Sequence, residues 1–491
     1  MQTLMKKIFT TMLAVLVCCL CFLTACGPAK LENNPDKNLE AFGNGGLAVV
    51  KGEYLYYVNG YQDYTEFTDV RKDNKYGDIV RSGIYRTKLV NGKVARDENG
   101  FLEDTECVVS HCVGFDKGGF YIVGDYIYYL TPHMENARDE NNEKVLKNDW
   151  VDICRINIDG TNQKRLAYTT EDDRINAWAV YTIDGKPYVV LHDGTKIVSV
   201  DGENGNAVTM AENVASAVLL EQENFTYGED NLADGYKYVY YTREYTEDDA
   251  ENGQAGNKLC RVEIGKTEED ADFTICDITN NYELLDFVNG RLYYSKVKDS
   301  STGSWVKSVY RKAITAGATE EYVCGDYTTY LFLDNQDDSS LTNNVIVVDS
   351  NKYMYLIVNG DRSEPIYKAS ADITFIGADD GKVYFVQEEA IYALDYITAD
   401  STPVKLSNSD KTYMLDNSNM IDLDGRRLFV MVEYKAEDET THYYLNVIDR
   451  YDTESESQFV GEFKENETPA EPEEPEDTED EEEQEKELWV K

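Results

Sequence analysis

One short pattern returns along this chain and leaves it few folds to choose from. VKGEYLYYVNG, residues 50–60, joins a tight turn to a burst of Tyr and β-branched residues. IVGDYIYYLTP follows from Ile122, FVNGRLYYSKV from Phe287 and LDGRRLFVMVE from Leu423. Each reads as an apolar strand, a two- or three-residue turn of Gly, Asn or Asp, and a Tyr-rich strand. The unit continues through a loop of variable length to a third strand of the form IYR, a turn and a short fourth strand. GFYIVGDYIYYL with DICRINIDGTNQKRLAY displays it whole; SGIYRTKLVNGK, KLCRVEI and SVYRKAITAG supply the later half elsewhere. Units begin near Gly46, Gly119, Ile175, Val218, Glu283, Thr329, Asp372 and Met414. Four strands in a period of about 50 residues are the signature of a β-propeller. A β-sandwich array would repeat nearer to about 100 residues. The fold class expected is therefore all-β, a β-propeller of about eight four-stranded blades. The third and sixth units are the least regular, which leaves seven open.

The ends of the chain are of other kinds. Lys6 and Lys7 precede an apolar run over residues 8–23, and LTAC follows at residues 23–26. A basic start, an apolar core and small residues before a cut make a signal peptide. A Leu three residues before a Cys, with Thr24 and Ala25 between, resembles the lipobox of bacterial lipoproteins. That resemblance implies a diacylglyceryl group on Cys26, cleavage just before it, and anchoring to the outer face of the cell membrane. Met5 is an alternative start, and an uncleaved membrane anchor is the competing reading of the same run. Two acyl chains hold a protein stably where one does so only marginally. The organisation expected is a signal peptide at 1–25, a lipidated Cys26 with a flexible tether over 26–41, a propeller over 42–463 and an acidic tail over 464–491. The tail, KENETPAEPEEPEDTEDEEEQEKELWVK, repels itself and has nothing to bury, so it is expected to be disordered. The formal net charge of −46 argues against nucleic acid as a partner and against lying flat on anionic lipid.

DICRINIDGTNQKRL resembles the I-x-R-x-x-L-D-G-T/S segment of the YWTD propellers of lipoprotein receptors, and also the D-G-S-N repeats of TolB-type propellers. With GGLAVVKGEYLYYVNG near the start of a lipidated chain, the pattern over residues 43–463 is similar to an uncharacterised family of clostridial lipoproteins carrying such propellers. The Trp-Thr-Asp triplet of the YWTD family is missing. The resemblance implies a fold and leaves the ligand unspecified.

The search for chemistry is lean. No zinc-protease motif, nucleophile elbow or phosphate loop is present; GADDGKV at 377–383 is too short between its glycines for a P-loop and reads as a turn. His111, His133, His192 and His442 fall in four separate units, so no metal site and no cofactor is expected. DNQDDS from Asp334 lacks EF-hand spacing. With 93 Asp and Glu, close carboxylate pairs arise by chance and single out no catalytic pair. Of ten Cys, Cys154, Cys260, Cys276 and Cys324 sit in apolar strand-like runs, while Cys107 and Cys112 are near enough in sequence to pair.

One asymmetry carries functional information. The longest insertions, 59–82, 131–150, 244–257 and 296–305, fall between second and third strands and so share one face of a propeller. They hold Tyr61, Tyr64, Phe67, Tyr76, Trp150, Tyr245 and Trp305, side chains common in recognition surfaces. The reading is a monomeric, non-enzymatic, surface-anchored propeller that recognises a protein, peptide or cell-wall glycan. The alternatives are an extracytoplasmic hydrolase or lyase with carboxylates in the central channel, and a scaffold subunit of a membrane complex.

Overall fold

The computed structural model describes residues 41–461 apart from stretches within connections, chiefly 63–69, 114–118, 139–143, 170–174, 220–236, 245–256, 268–272, 300–304, 334–343, 416–420 and 451–457. The signal segment, Cys26, the tether as far as residue 40 and the acidic tail lie outside the described residues. Those that are described form eight antiparallel blades, each built from four or more consecutive strands, and a two-stranded ribbon of Lys75–Tyr76 with Ile79–Val80 inside blade 1's insertion. Blade 1 holds Ala48–Lys51, Tyr54–Asn59, Gly83–Val90 and Glu106–Val109. Blade 2 holds Phe120–Val123, Tyr126–Arg138, Lys144–Asn157 and Lys164–Tyr168. Blade 3 holds Ala177–Ile183, Lys186–His192, Lys196–Asp201 and Ala207–Glu212. Blade 4 runs from Val214–Val218 to Phe273–Cys276, blade 5 from Asn281–Val288 to Glu321–Cys324 and blade 6 from Thr329–Phe332 to Tyr367–Lys368. Blade 7 spans Thr374–Asp379 to Val404–Lys405, and blade 8 spans Thr412–Tyr413 to Gln458–Val460. The eight-bladed, all-β propeller read from the repeat is the fold, and the irregular third and sixth units are full blades.

The repeat has a physical cause. In blades 1, 2, 4 and 5 a buried Tyr of the second strand lies directly opposite an Arg of the third: Tyr56 and Arg86, Tyr128 and Arg155, Tyr240 and Arg261, Tyr293 and Arg311. In three of these the guanidinium also covers the Tyr two residues earlier, at 5.0 Å for Arg86 over Tyr54, 4.3 Å for Arg155 over Tyr126 and 4.0 Å for Arg261 over Tyr238. The Arg then reaches the next blade. Arg86 Nη1 donates to Ile158 O of blade 2 at 3.4 Å, and Arg155 Nη1 donates to Gly202 O of blade 3 at 2.9 Å. Tyr128 Oη donates to the same Gly202 carbonyl at 3.2 Å. In blades 1 and 2 the recurring YxYY and IYR segments are thus the two halves of a rivet to the next blade. Each charge-assisted bond of this kind is worth about 1.5–3 kcal/mol.

Apolar clusters fill the seams all the way round, from blades 8, 1 and 2 through 2 to 5, then 5 with 6, 6 with 7, and 7 with 8. The ring closes by side-chain packing: blade 8 is built wholly from its own end of the chain. Arg81 Nη2 donates to Thr441 O at 2.9 Å, and the Tyr61 and Tyr443 rings meet edge-on at 5.4 Å across that seam. Leu445, Val447 and Val460 of blade 8 join the core of blade 1.

We call the face bearing the connections between second and third strands the upper face, and the opposite one the lower face. Ala41 and Phe42 form a strand that pairs antiparallel with the innermost strand of blade 2, Ala41 opposite Val123 and Phe42 opposite Ile122. Val123 is the lower end of that strand, so the chain enters the channel from the lower face. Gly461, after the last strand, lies beside Asn59 at the upper end of blade 1. The two ends of the folded region therefore leave through opposite faces.

Two expectations about the insertions are corrected. The connections between first and second strands are not uniformly short, for blades 4 and 6 carry insertions there, at 219–237 and 333–343. Blade 4 accordingly begins at Val214, ahead of the expected Val218. Much of 131–150 and 296–305 is not loop but extension of the second and third strands, in register to Arg138 with Lys144 and to Asp299 with Trp305. Continuing an antiparallel ladder satisfies the backbone donors and acceptors of a polar insertion at once, whatever its side chains.

Candidate functional site

At the root of the blade 2 arm, side chains from three strands meet on one side of the sheet. Asp152 lies opposite Thr131 on one neighbour and Tyr168 on the other, and residues paired in this way point to the same face. The ladder slips between Pro132 and His133, and the slip delivers His133 to Asp152, with 2.7 Å between Nδ1 and Oδ1. The His133 ring stacks on Tyr168 with centroids 4.9 Å apart and planes at 14°. Trp150 closes the group at 5.3 Å from His133 and 6.3 Å from Tyr168. Arg165 spans the edge, its guanidinium 5.4 Å over the Tyr168 ring and 3.6 Å from Asp152.

The exposures give this arrangement a direction. His133 keeps 5 % of its surface open and Tyr168 keeps 51 %. A buried imidazole hydrogen bonded to Asp152 thus holds an exposed ring in place. An aromatic face fixed before a ligand arrives loses little entropy on binding, and the adjacent Arg and carboxylate supply directional donors and acceptors. Deeper in the seam between blades 1 and 2, Gln163 Nε2 donates to Tyr129 Oη at 2.8 Å and lies 3.3 Å from the His111 ring nitrogens. His192, at the upper end of blade 3, has its pKa lowered by burial, with Asp193 opposing. Among the described residues no hydroxyl or thiol hydrogen bonds to His133, and no three His, Cys, Asp or Glu gather as a metal site requires.

Of the aromatic residues singled out by sequence, Trp150 belongs to this cluster. Tyr61 packs against Tyr443 as part of the ring closure. Tyr64, Phe67 and Tyr245 lie outside the described residues, as do the side chains of Tyr76 and Trp305, although the backbones of these two are placed in strands. His133, Asp152, Arg165 and Tyr168 were missed. The available signal was the alternation W-V-D-I-C, which within a strand puts Trp150, Asp152 and Cys154 on one side. Cys107 and Cys112 both carry free thiols, and the exposed Cys107 donates from Sγ to Val109 O at 3.4 Å.

No family model and no curated protein matches this chain. Solved structures similar to it include a puromycin-hydrolyzing peptidase of Mycobacterium tuberculosis, 11% identical over 69% of this chain and 52% of its own, with a TM-score of 0.43. Apo AztD from Citrobacter koseri is 11% identical over 77% of this chain and 92% of its own, with a TM-score of 0.36. BamB from Moraxella catarrhalis is 9% identical over 66% and 80%, with a TM-score of 0.35. The chain spans about half the length of the peptidase. Likenesses this distant say nothing of ligand or activity. The chain's own topology defines its class, a single-chain eight-bladed β-propeller.

Proposed function

We propose that this protein is an extracytoplasmic lipoprotein, anchored through Cys26, whose propeller binds a protein, peptide or cell-wall glycan on its upper face. The observation that carries the reading is the exposed Tyr168 ring held by His133, Trp150 and Asp152 with Arg165 at its edge. Such rigid aromatic and Arg groups are the residues on which binding energy concentrates. Anchoring rests on the LTAC segment at 23–26. The experiment is a glycan, peptide and cell-surface-protein screen against the chain from residue 42, followed by Tyr168→Ala and Trp150→Ala. Each substitution is expected to weaken the ligand found by about 1–2 kcal/mol or more. Affinities unchanged in both variants would move the binding surface elsewhere. Cys26→Ser is expected to release the protein from membranes or leave it unprocessed.

A further inference from the structure

Away from blade 2, the seam between blades 5 and 6 holds a carboxyl group that pairs with no cation among the described residues. Asp286 lies on the innermost strand of blade 5, just after a slip in the ladder between Leu284 and Asp286. The slip places Asp286 opposite Tyr293, on the side of the sheet that faces blade 6. Protein surrounds its carboxyl group on nearly every side, and desolvation pushes its pKa up to about 6. Yet the residue is only half-buried, and it sits on the strand of blade 5 that lines the channel. Among the described residues its one hydrogen bond is a short local one, accepted by Oδ1 from the N–H of Phe287 at 2.7 Å.

The surroundings define what is missing. Tyr293 packs on Phe332 of blade 6 with centroids 4.4 Å apart and planes tilted at 37°, and Tyr330 lies parallel to Phe332 at 6.2 Å. Tyr330 and Phe332 are half-buried on the innermost strand of blade 6, while Tyr293 is closed off behind them. The nearby cations are committed. Arg311 Nε and Arg291 Nη1 both donate to Glu321, at 2.8 and 3.1 Å, and Arg311 Nη1 reaches Tyr293 Oη at 3.5 Å. Glu283, two residues before the slip, is taken by Lys307 and Ser295. Asp326 accepts from Tyr330 Oη at 3.4 Å. One desolvated carboxylate beside aromatic faces is a poor site for a hard metal ion, which wants six or more oxygen ligands. It suits a single organic cation, whose charge pairs with the carboxylate and whose methyl or methylene groups lie on the rings.

We propose that the channel wall at Asp286, Tyr330 and Phe332 binds an organic ammonium group. The proposal is independent of the blade 2 site. Its test is calorimetric titration of the full chain with choline, with 1,4-diaminobutane, and with 3,3-dimethyl-1-butanol as the uncharged isostere of choline. At pH 7.5 at least one ammonium compound is expected to bind, and the alcohol to bind at least about tenfold more weakly than choline if choline is that ligand. Asp286→Asn is expected to weaken the ammonium ligand by about tenfold or more. Lowering the pH to 5 should weaken it in the unaltered protein and leave Asp286→Asn unmoved, since Glu321, Glu283 and Asp326 are engaged elsewhere. Phe332→Leu, which keeps the carboxylate, should weaken binding as well and stands in should Asp286→Asn not fold. Failure of both ammonium compounds to bind, equal binding of choline and the alcohol, or undiminished binding in Asp286→Asn would each overturn the assignment.

Discussion

At the scale of single residues, the buried charges of this acidic chain divide into partnered and unpartnered groups. Arg86 and Arg155 are buried or half-buried but hydrogen bonded to the next blade, and Arg311 is held by Glu321 of its own blade. Asp286 is the exception, and its effect on stability has a definite sign. Its folded pKa of about 6 lies above the ordinary Asp value of 3.8, so the folded state favours the proton. The stability this lends is fully present below about pH 4 and is lost as pH rises through about 6. Asp286→Asn removes the charge without changing shape. It is therefore expected to raise stability at pH 7.5 by roughly 2–3 kcal/mol, one pKa unit being worth about 1.4 kcal/mol, and to change it little at pH 4. Urea unfolding at the two pH values measures this. Equal effects at both would show that the carboxyl group is not desolvated as described.

At the scale of elements, turns and strand extensions explain how blades of unequal length keep one plan. The hairpin between the first two strands of blade 3 places Asp184 and Gly185 both at positive φ, 48° and 75°, as a type I′ turn requires. A Cβ added at Gly185 meets nothing within 4 Å, so Gly185→Ala should cost only the backbone strain, about 1 kcal/mol. Gly205 in the same blade has φ of 86°, and there a Cβ would collide with the carbonyl oxygen of Leu166 in blade 2. Gly205→Ala is therefore expected to cost clearly more than Gly185→Ala, by at least about 1–3 kcal/mol, because blade 2 must move. Thermal melts of the two variants decide it, and equal losses would mean that the contact between blades yields freely. The turn glycines were legible in sequence as NG and DG pairs. The contact at Gly205 was not, because Leu166 belongs to another blade.

At the scale of the molecule, the ring carries its two ends on opposite faces. The chain comes in from below beside Val123 and goes out above beside Asn59. If Cys26 is the anchor, its tether pulls on the lower face, and the upper face with Tyr168 and the Trp150 arm is turned away from the lipid. Blade 3 offers matched reporters, since its lower turn is Asp184–Gly185 and its upper turn lies between His192 and Lys196. In a Cys107→Ser background, a fluorophore at Asp184→Cys is expected to be quenched by nitroxide lipids more strongly than one at Thr195→Cys. The comparison is made on the lipidated chain in vesicles. The reverse order would place the upper face against the membrane.

The sequence by itself determined what depends on neighbours along the chain. Strand periodicity, turn residues and the Tyr and Arg spacing are local, and they were enough to read four strands per unit and about eight units, with seven left open. It also held the LTAC segment and the acidic tail, which need no fold to be read. Only the tertiary structure decided which residues meet. The slip at His133 brings it to Asp152 and Tyr168, and the slip after Leu284 turns Asp286 toward blade 6, yet neither slip leaves a mark in composition or period. The stretches 219–237 and 333–343 connect first to second strands because the ladder, not the loop sequence, settles which strand comes first. Desolvation is likewise a property of everything packed around a group, so no stretch of sequence could have set Asp286 apart from the other carboxylates.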